Sequence, residues 1–150
     1  MATFRDCNGN EYIVRIDTRI FKEIRNRVTD EMGKRVNLMR LINDSLAVSL
    51  AIDPALVSDI LWVCCEKAAI DRGITQEAFE SAIYGDSLDS AFTAVMEAAT
   101  DFFRKEDREA VQKIAATVSG LKAADQEAII QNLTDLAEQT KPKSAPTPLN

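Results

Sequence analysis

Leu88, Ala91, Phe92, Val95, Ala99 and Phe102 fall at i, i+3, i+4, i+7, i+11 and i+14, the clearest amphipathic stripe in the chain. That spacing predicts a helix opening at Asp86 or Ser87, just after Gly85. Upstream, Ile20, Phe21, Ile24 and Val28 repeat at helical spacing after Thr18, and Gly33 is the expected end of that run. A denser apolar run from Val36 to Leu50 is also expected to be helical, though its period is less clean. Asp53-Pro54 marks a helix start, because Asp can accept from free amides and Pro suits the first helical position. This helix is expected to reach Arg72, with Gly73 as its stop. Thr75 then caps a short helix with Glu77 in its first turn and Ala78, Phe79, Ala82 and Ile83 on its apolar side.

Period-two patterning is confined to the N-terminus. Residues 4–7 and 11–16 flank Asn8-Gly9, the preferred pair for a tight primed turn, and Tyr12-Ile13-Val14-Arg15-Ile16 is rich in β-branched and aromatic residues. A short hairpin follows. Beyond Phe103 the charged stretch Arg104–Arg108 breaks the pattern. Val111, Ile114, Ala115 and Val118 form one short stripe, Ser119-Gly120 interrupts, and Ile129, Ile130, Leu133, Leu136 and Ala137 form another. The expected class is mostly α: a compact helical domain with an N-terminal β-hairpin over 1–104, an amphipathic helical extension over 105–140, and a disordered tail over 141–150 containing Pro142, Pro146 and Pro148.

Charge changes this picture only modestly. The 150 residues carry a net charge of −6, which repels phosphate backbones and makes nucleic acid a poor default partner. The distribution is uneven: +3 over residues 1–40, −8 over 41–104 and −1 over 105–150. Such asymmetry can steer a partner or help self-assembly, or it can be solvated surface. No apolar segment is long enough to span a bilayer, and residues 1–10 lack a signal-peptide core, so a cytoplasmic location without membrane contact is expected.

The chemistry-bearing residues are sparse. There is no histidine, which removes the commonest general base, the His-containing triads and most transition-metal sites. The glycines are scattered singly, with no phosphate-binding loop. Asp86, Asp89, Glu97 and Asp101 are the candidates for carboxylate catalysis, weighed against helix capping by Asp86 and solvent exposure of the rest. Cys7, Cys64 and Cys65 show no metal-ligand spacing and are expected to be reduced, mostly buried and inert. No cofactor or metal is expected.

Three aromatic residues are the candidate partner-binding positions. With Val57, Ile60, Leu61, Cys64 and Ala68 facing the core, Trp62 lies roughly 120–140° off that face. It is then either covered by the hairpin or C-terminal helices, or exposed as an anchor. Phe102 and Phe103 end the strongest helix, as a core plug or as a contact surface.

The order of these features carries a resemblance. The Leu61-Trp62 dipeptide, Gly73-Ile74-Thr75-Gln76-Glu77-Ala78-Phe79, Gly85-Asp86-Ser87-Leu88 and the closing Phe102-Phe103 resemble the tail assembly chaperones of long-tailed phages and prophages, across roughly residues 9–104. The resemblance implies a non-enzymatic protein that binds the tape measure protein, a long polypeptide of amphipathic helices, and keeps it soluble while the tail tube assembles. It also implies that a longer frameshifted product can exist. Self-association of modest strength is expected from a sticky apolar surface. The alternatives are a structural virion protein of the tail or head-completion type, then a nucleic-acid binder using Arg15, Arg19, Lys22, Arg25 and Arg27, and last an enzyme.

Overall fold

The computed structural model describes residues 1–43 and 46–124; the expected stripe over 129–137 and the tail over 141–150 lie outside the described residues. The chain divides into two compact units, Met1–Ala115 and Ala116–Asn150. All that follows concerns the first unit unless stated. It is mostly α, with a two-stranded N-terminal hairpin.

The hairpin pairs β1 (Ala2–Arg5) with β2 (Glu11–Val14), antiparallel, with Phe4 opposite Tyr12 and Arg5 opposite Glu11. Alternation puts Ala2, Phe4, Tyr12 and Val14 on the buried face and leaves Ile13 outside. The connection is wider than the two-residue turn expected from Asn8-Gly9. Only Gly9 adopts positive φ. Asp6 organises the loop instead, its carboxylate accepting from the Asn8 amide at 2.9 Å, the Asn10 amide at 2.9 Å and the Asn10 side chain at 3.1 Å. A side-chain acceptor serving loop amides replaces the backbone geometry of a tight turn.

Helix α1 (Thr18–Arg27) is capped by Asp17, whose carboxylate accepts from the Ile20 amide at 2.8 Å. It ends before Gly33. Val28 and Thr29 are β-branched, and Asp30 draws the chain into a loop by accepting from the Met32 and Lys34 amides. Gly33 sits inside that loop with positive φ, and a Thr29–Arg35 bridge closes it. The expected single helix over 36–50 is instead an extended entry followed by two short helices, α2 (Arg40–Asn43) and α3 (Leu46–Ile52). This division accounts for the poor periodicity of the run.

Helix α4 (Pro54–Asp71) starts on Asp53, which accepts from the Ala55 and Leu56 amides, and stops at Gly73. There the Gly73 amide donates to Ile70 O at 2.9 Å and the Ile74 amide to Ala69 O at 2.8 Å, closing the end as Gly in positive φ allows. Thr75 caps α5 (Gln76–Ser81) through its hydroxyl, which accepts from the Ala78 amide at 3.1 Å. Helix α6 (Asp86–Phe102) begins on Gly85, with Asp86 in its first turn rather than as its cap. Ser87 is buried and bonds both the amide and carbonyl of Tyr84 at 2.7 Å.

Helix α7 spans Lys105–Ala124 without a break at Ser119-Gly120, so the expected interruption there is absent. The boundary between the two units falls inside this helix, beyond the charged break at 104–108. Within the first unit, Val111 is fully buried.

Helix α4 is the central element, packed by α1, α3, α5, α6 and β2, while β1 lies along α6. The face of α4 that the stripe predicts is therefore too narrow. Leu56, Trp62, Val63, Cys65 and Ala69 are buried alongside Val57, Ile60 and Leu61, whereas Ala68 is exposed. A helix with neighbours on most sides is apolar nearly all round. Between α4, α5 and the hairpin, the Phe79 ring meets Tyr12 at 5.2 Å, Trp62 at 5.3 Å and Phe4 at 6.3 Å, each edge to face. Such rings add packing energy beyond their buried area. Phe79→Ala is expected to destabilise the protein by ~3–5 kcal/mol in urea denaturation, in the range of large aromatic truncations; a loss below ~1 kcal/mol would mean the four-ring cluster is not a unit.

Candidate functional site

The three aromatic candidates do not share a surface. Trp62 is only 5% exposed and Phe103 only 4%. Phe79 of α5 packs edge to face against Trp62. Neither residue is available to a partner without opening the core. Phe102 alone is half-buried; it stacks on Phe21 of α1 with ring centres 5.2 Å apart and lines a cleft of about 470 Å³ with Met1, Val14, Ile16 and Asp101. The Arg25 guanidinium lies 5.9 Å over the Phe21 ring.

The larger exposed apolar surface lies in the stretch that periodicity described poorly. Met32 is 78% exposed, Ile52 67%, and Val48 50%, with Met39 close behind. Val48 and Ile52 are four residues apart on α3 and so share a face. Met32 and Ile52 line one cleft of about 340 Å³, together with Leu56, Lys34, Arg40 and Asp53. The signal in the sequence was the excess of apolar residues between Val36 and Ile52, more than two short helices can bury. Methionine is well suited to such a surface, since its flexible thioether chain adapts to differently shaped partners.

A second cleft, of about 270 Å³, opens between the start of α4, α5 and α6. Asp59 and Glu80 stand on its walls, Ile83 and Leu88 give it an apolar side, and the Ser58 hydroxyl is buried with no hydrogen-bond partner. Burial, and then the Glu80 and Asp53 charges, push the Asp59 carboxyl above the usual carboxylate range.

The four acids weighed for catalysis, Asp86, Asp89, Glu97 and Asp101, are all exposed. No group of three or more His, Cys, Asp or Glu side chains among the described residues could hold a metal ion. Burial pushes the Cys65 thiol up to about 12 and raises Cys64 as well. Cys7 departs from the expected burial: it is exposed, with its sulfur 3.4 Å from both Tyr84 O and Ser87 Oγ. On the opposite side of charge, Arg27 bonds Glu66 of α4 through two nitrogens at 3.0 and 2.9 Å. That pairing holds the Glu66 carboxyl below its usual range and ties α1 to α4, taking Arg27 out of the set of free cations.

No family model, curated protein or solved structure matches the chain. No single helix among the described residues is long and apolar enough to cross a membrane; α3 and α4 reach that apolar length only as a pair bent by 101°.

Two outcomes follow from these environments. Alkylation with iodoacetamide at neutral pH should modify Cys7 and spare Cys64 and Cys65 until the protein is unfolded, as read by mass spectrometry of intact protein and peptides. Asp59 binds its proton more tightly in the folded state than in the unfolded chain, so its contribution favours folding in acid and weakens as pH rises toward and through the raised folded value. Asp59→Asn should therefore raise the Tm at neutral pH, with the gain vanishing below pH ~4, near the unfolded carboxylate pKa; an unchanged or lower Tm at neutral pH would contradict this account of the cleft.

Proposed function

We propose that the chain is a non-enzymatic tail assembly chaperone that binds amphipathic helices of the tape measure protein and keeps that protein soluble during phage tail assembly. Two observations support the reading. The ordered motifs from Leu61-Trp62 to Phe102-Phe103 resemble those of this family. The observation that carries it is the exposed apolar surface of Met32, Val48 and Ile52 beside a cleft of about 340 Å³.

The chemistry of such a client explains why this surface suits it. A long helix whose apolar stripe is not yet covered aggregates with its neighbours, and a second apolar surface of limited area can cover it reversibly. The surface on this chain is rimmed by Lys34, Arg40, Asp30 and Asp53, charges of both signs that keep the free protein hydrated. The buried family-motif residues Trp62, Phe79 and Phe103 then act as scaffold around α4, against which α3 packs, rather than as contacts.

Co-expression of the tagged chain with the tape measure protein encoded nearby is the direct test, scored by soluble yield and co-purification. The expected result is a soluble complex. Replacing Ile52 with Glu should lower co-purification ~tenfold, the loss of one apolar anchor, without lowering the Tm. If the client stays insoluble while this chain purifies as a stable ring, the structural virion role takes its place.

A further inference from the structure

One edge of the first unit carries several cations and one cleft carries two carboxylates, and neither set is tied into an ion pair among the described residues, although Asp17 and Asp101 line a cleft with Arg15. Arg15, Arg19 and Lys22 are exposed along the start of α1, and none makes an ion pair among the described residues. Arg25 continues that edge above the Phe21 ring, which is itself stacked on Phe102. The cations thus border a half-buried aromatic pair. The acidic cleft between α4, α5 and α6 holds Asp59 and Glu80 with no cation on its walls, an apolar side of Ile83 and Leu88, and the unpartnered Ser58 hydroxyl. Among the described residues the Glu80 carboxylate accepts from the Gln76 side-chain amide at 3.0 Å.

We propose that the basic edge of α1 docks into the acidic α4–α5–α6 cleft of a second copy of this chain, in a head-to-tail contact. The two surfaces match in kind as well as in charge. An Arg or Lys side chain lays its methylene stem against apolar neighbours such as Ile83 and Leu88 while its head reaches carboxylates. The guanidinium also brings several donors, which the Asp59 and Glu80 carboxylates can accept. Helix α1 is about 15 Å long at 1.5 Å per residue, enough to present successive cations at i and i+3 or i+4 to one cleft. A net charge of −6 makes randomly oriented copies repel one another, so only the oriented approach is favourable. Because the two patches differ, one contact leaves one of each patch free on the pair; these either meet reciprocally and close a twofold dimer or take up further copies as a ring or a chain.

This association does not depend on the chaperone role, and its test uses no client. Sedimentation velocity of the full-length chain is measured over a range of concentrations at low salt and at about 1 M salt, where charges are screened within roughly 3 Å. The expected result is concentration-dependent association at low salt, weakened at least ~tenfold at high salt. The double variant Arg19→Glu/Lys22→Glu and the single variant Glu80→Lys should each be monomeric with unchanged circular dichroism. Mixed in equal amounts they should associate again, because the reversed edge meets the reversed cleft and the unaltered edge meets the unaltered cleft. A wild-type chain that stays monomeric at low salt overturns the proposal. So does association that both variants leave intact, or a mixture that fails to associate.

Discussion

The Phe79 ring is the point at which this fold is joined. It belongs to α5, a helix of six residues that could not hold itself together in water, yet it is fully buried among side chains from the hairpin and α4. Short helices form in proteins when tertiary contacts supply what intrinsic propensity does not. Here the supply is mutual. Phe79 covers one side of Trp62, Tyr12 and Phe4 press on it from the strands, and the Cys7 amide bonds Ala82 O at 2.9 Å to lock the hairpin loop to the end of α5. A two-stranded ribbon and a one-and-a-half-turn helix, each marginal alone, become ordered against the long helix between them.

The same cluster separates what the motifs do from where contact with a partner can occur. Leu61-Trp62, Phe79 and Phe103 are among the most recognisable residues of the chain, and all are interior. The exposed apolar positions of the loop after α1 and of α3 belong to no motif. A binding protein can keep a rigid interior and place its adaptable residues on short elements outside it.

Features set by contacts near in sequence were legible. Asp53-Pro54, Gly73 and Thr75 act on amides and carbonyls within a few positions, so the limits of α4 and the start of α5 could be read directly. The stripe of α6 was legible because Asp89, Thr93, Glu97 and Asp101 keep one narrow face in water, although Ala94, Met96, Ala98 and Thr100 are buried beyond the stripe as well. Features set by the whole fold were not. Trp62 reads as an off-stripe aromatic because helical geometry knows one core face, whereas α4 is covered on several. The end of α1 depended on the Asp30 carboxylate choosing loop amides over solvent, and the turn after β1 on Asp6 doing the same, neither of which a period reveals. For the candidate site, the exposed Met32, Val48 and Ile52 were visible only as surplus hydrophobicity, and the acidic cleft brings together Asp59 and Glu80 from different helices.

The docking of β1 on α6 also bears on how the chain comes off the ribosome. Phe4 and Ala2 are made well before the helix that β1 lies along, some ninety residues later, a gap on the order of ten seconds at ordinary rates of synthesis. Over that interval β1 lacks the helix it lies along, while α4 and Phe79, which meet β2 and Phe4, are already made. The hairpin is therefore left with part of its apolar face uncovered until α6 clears the exit tunnel.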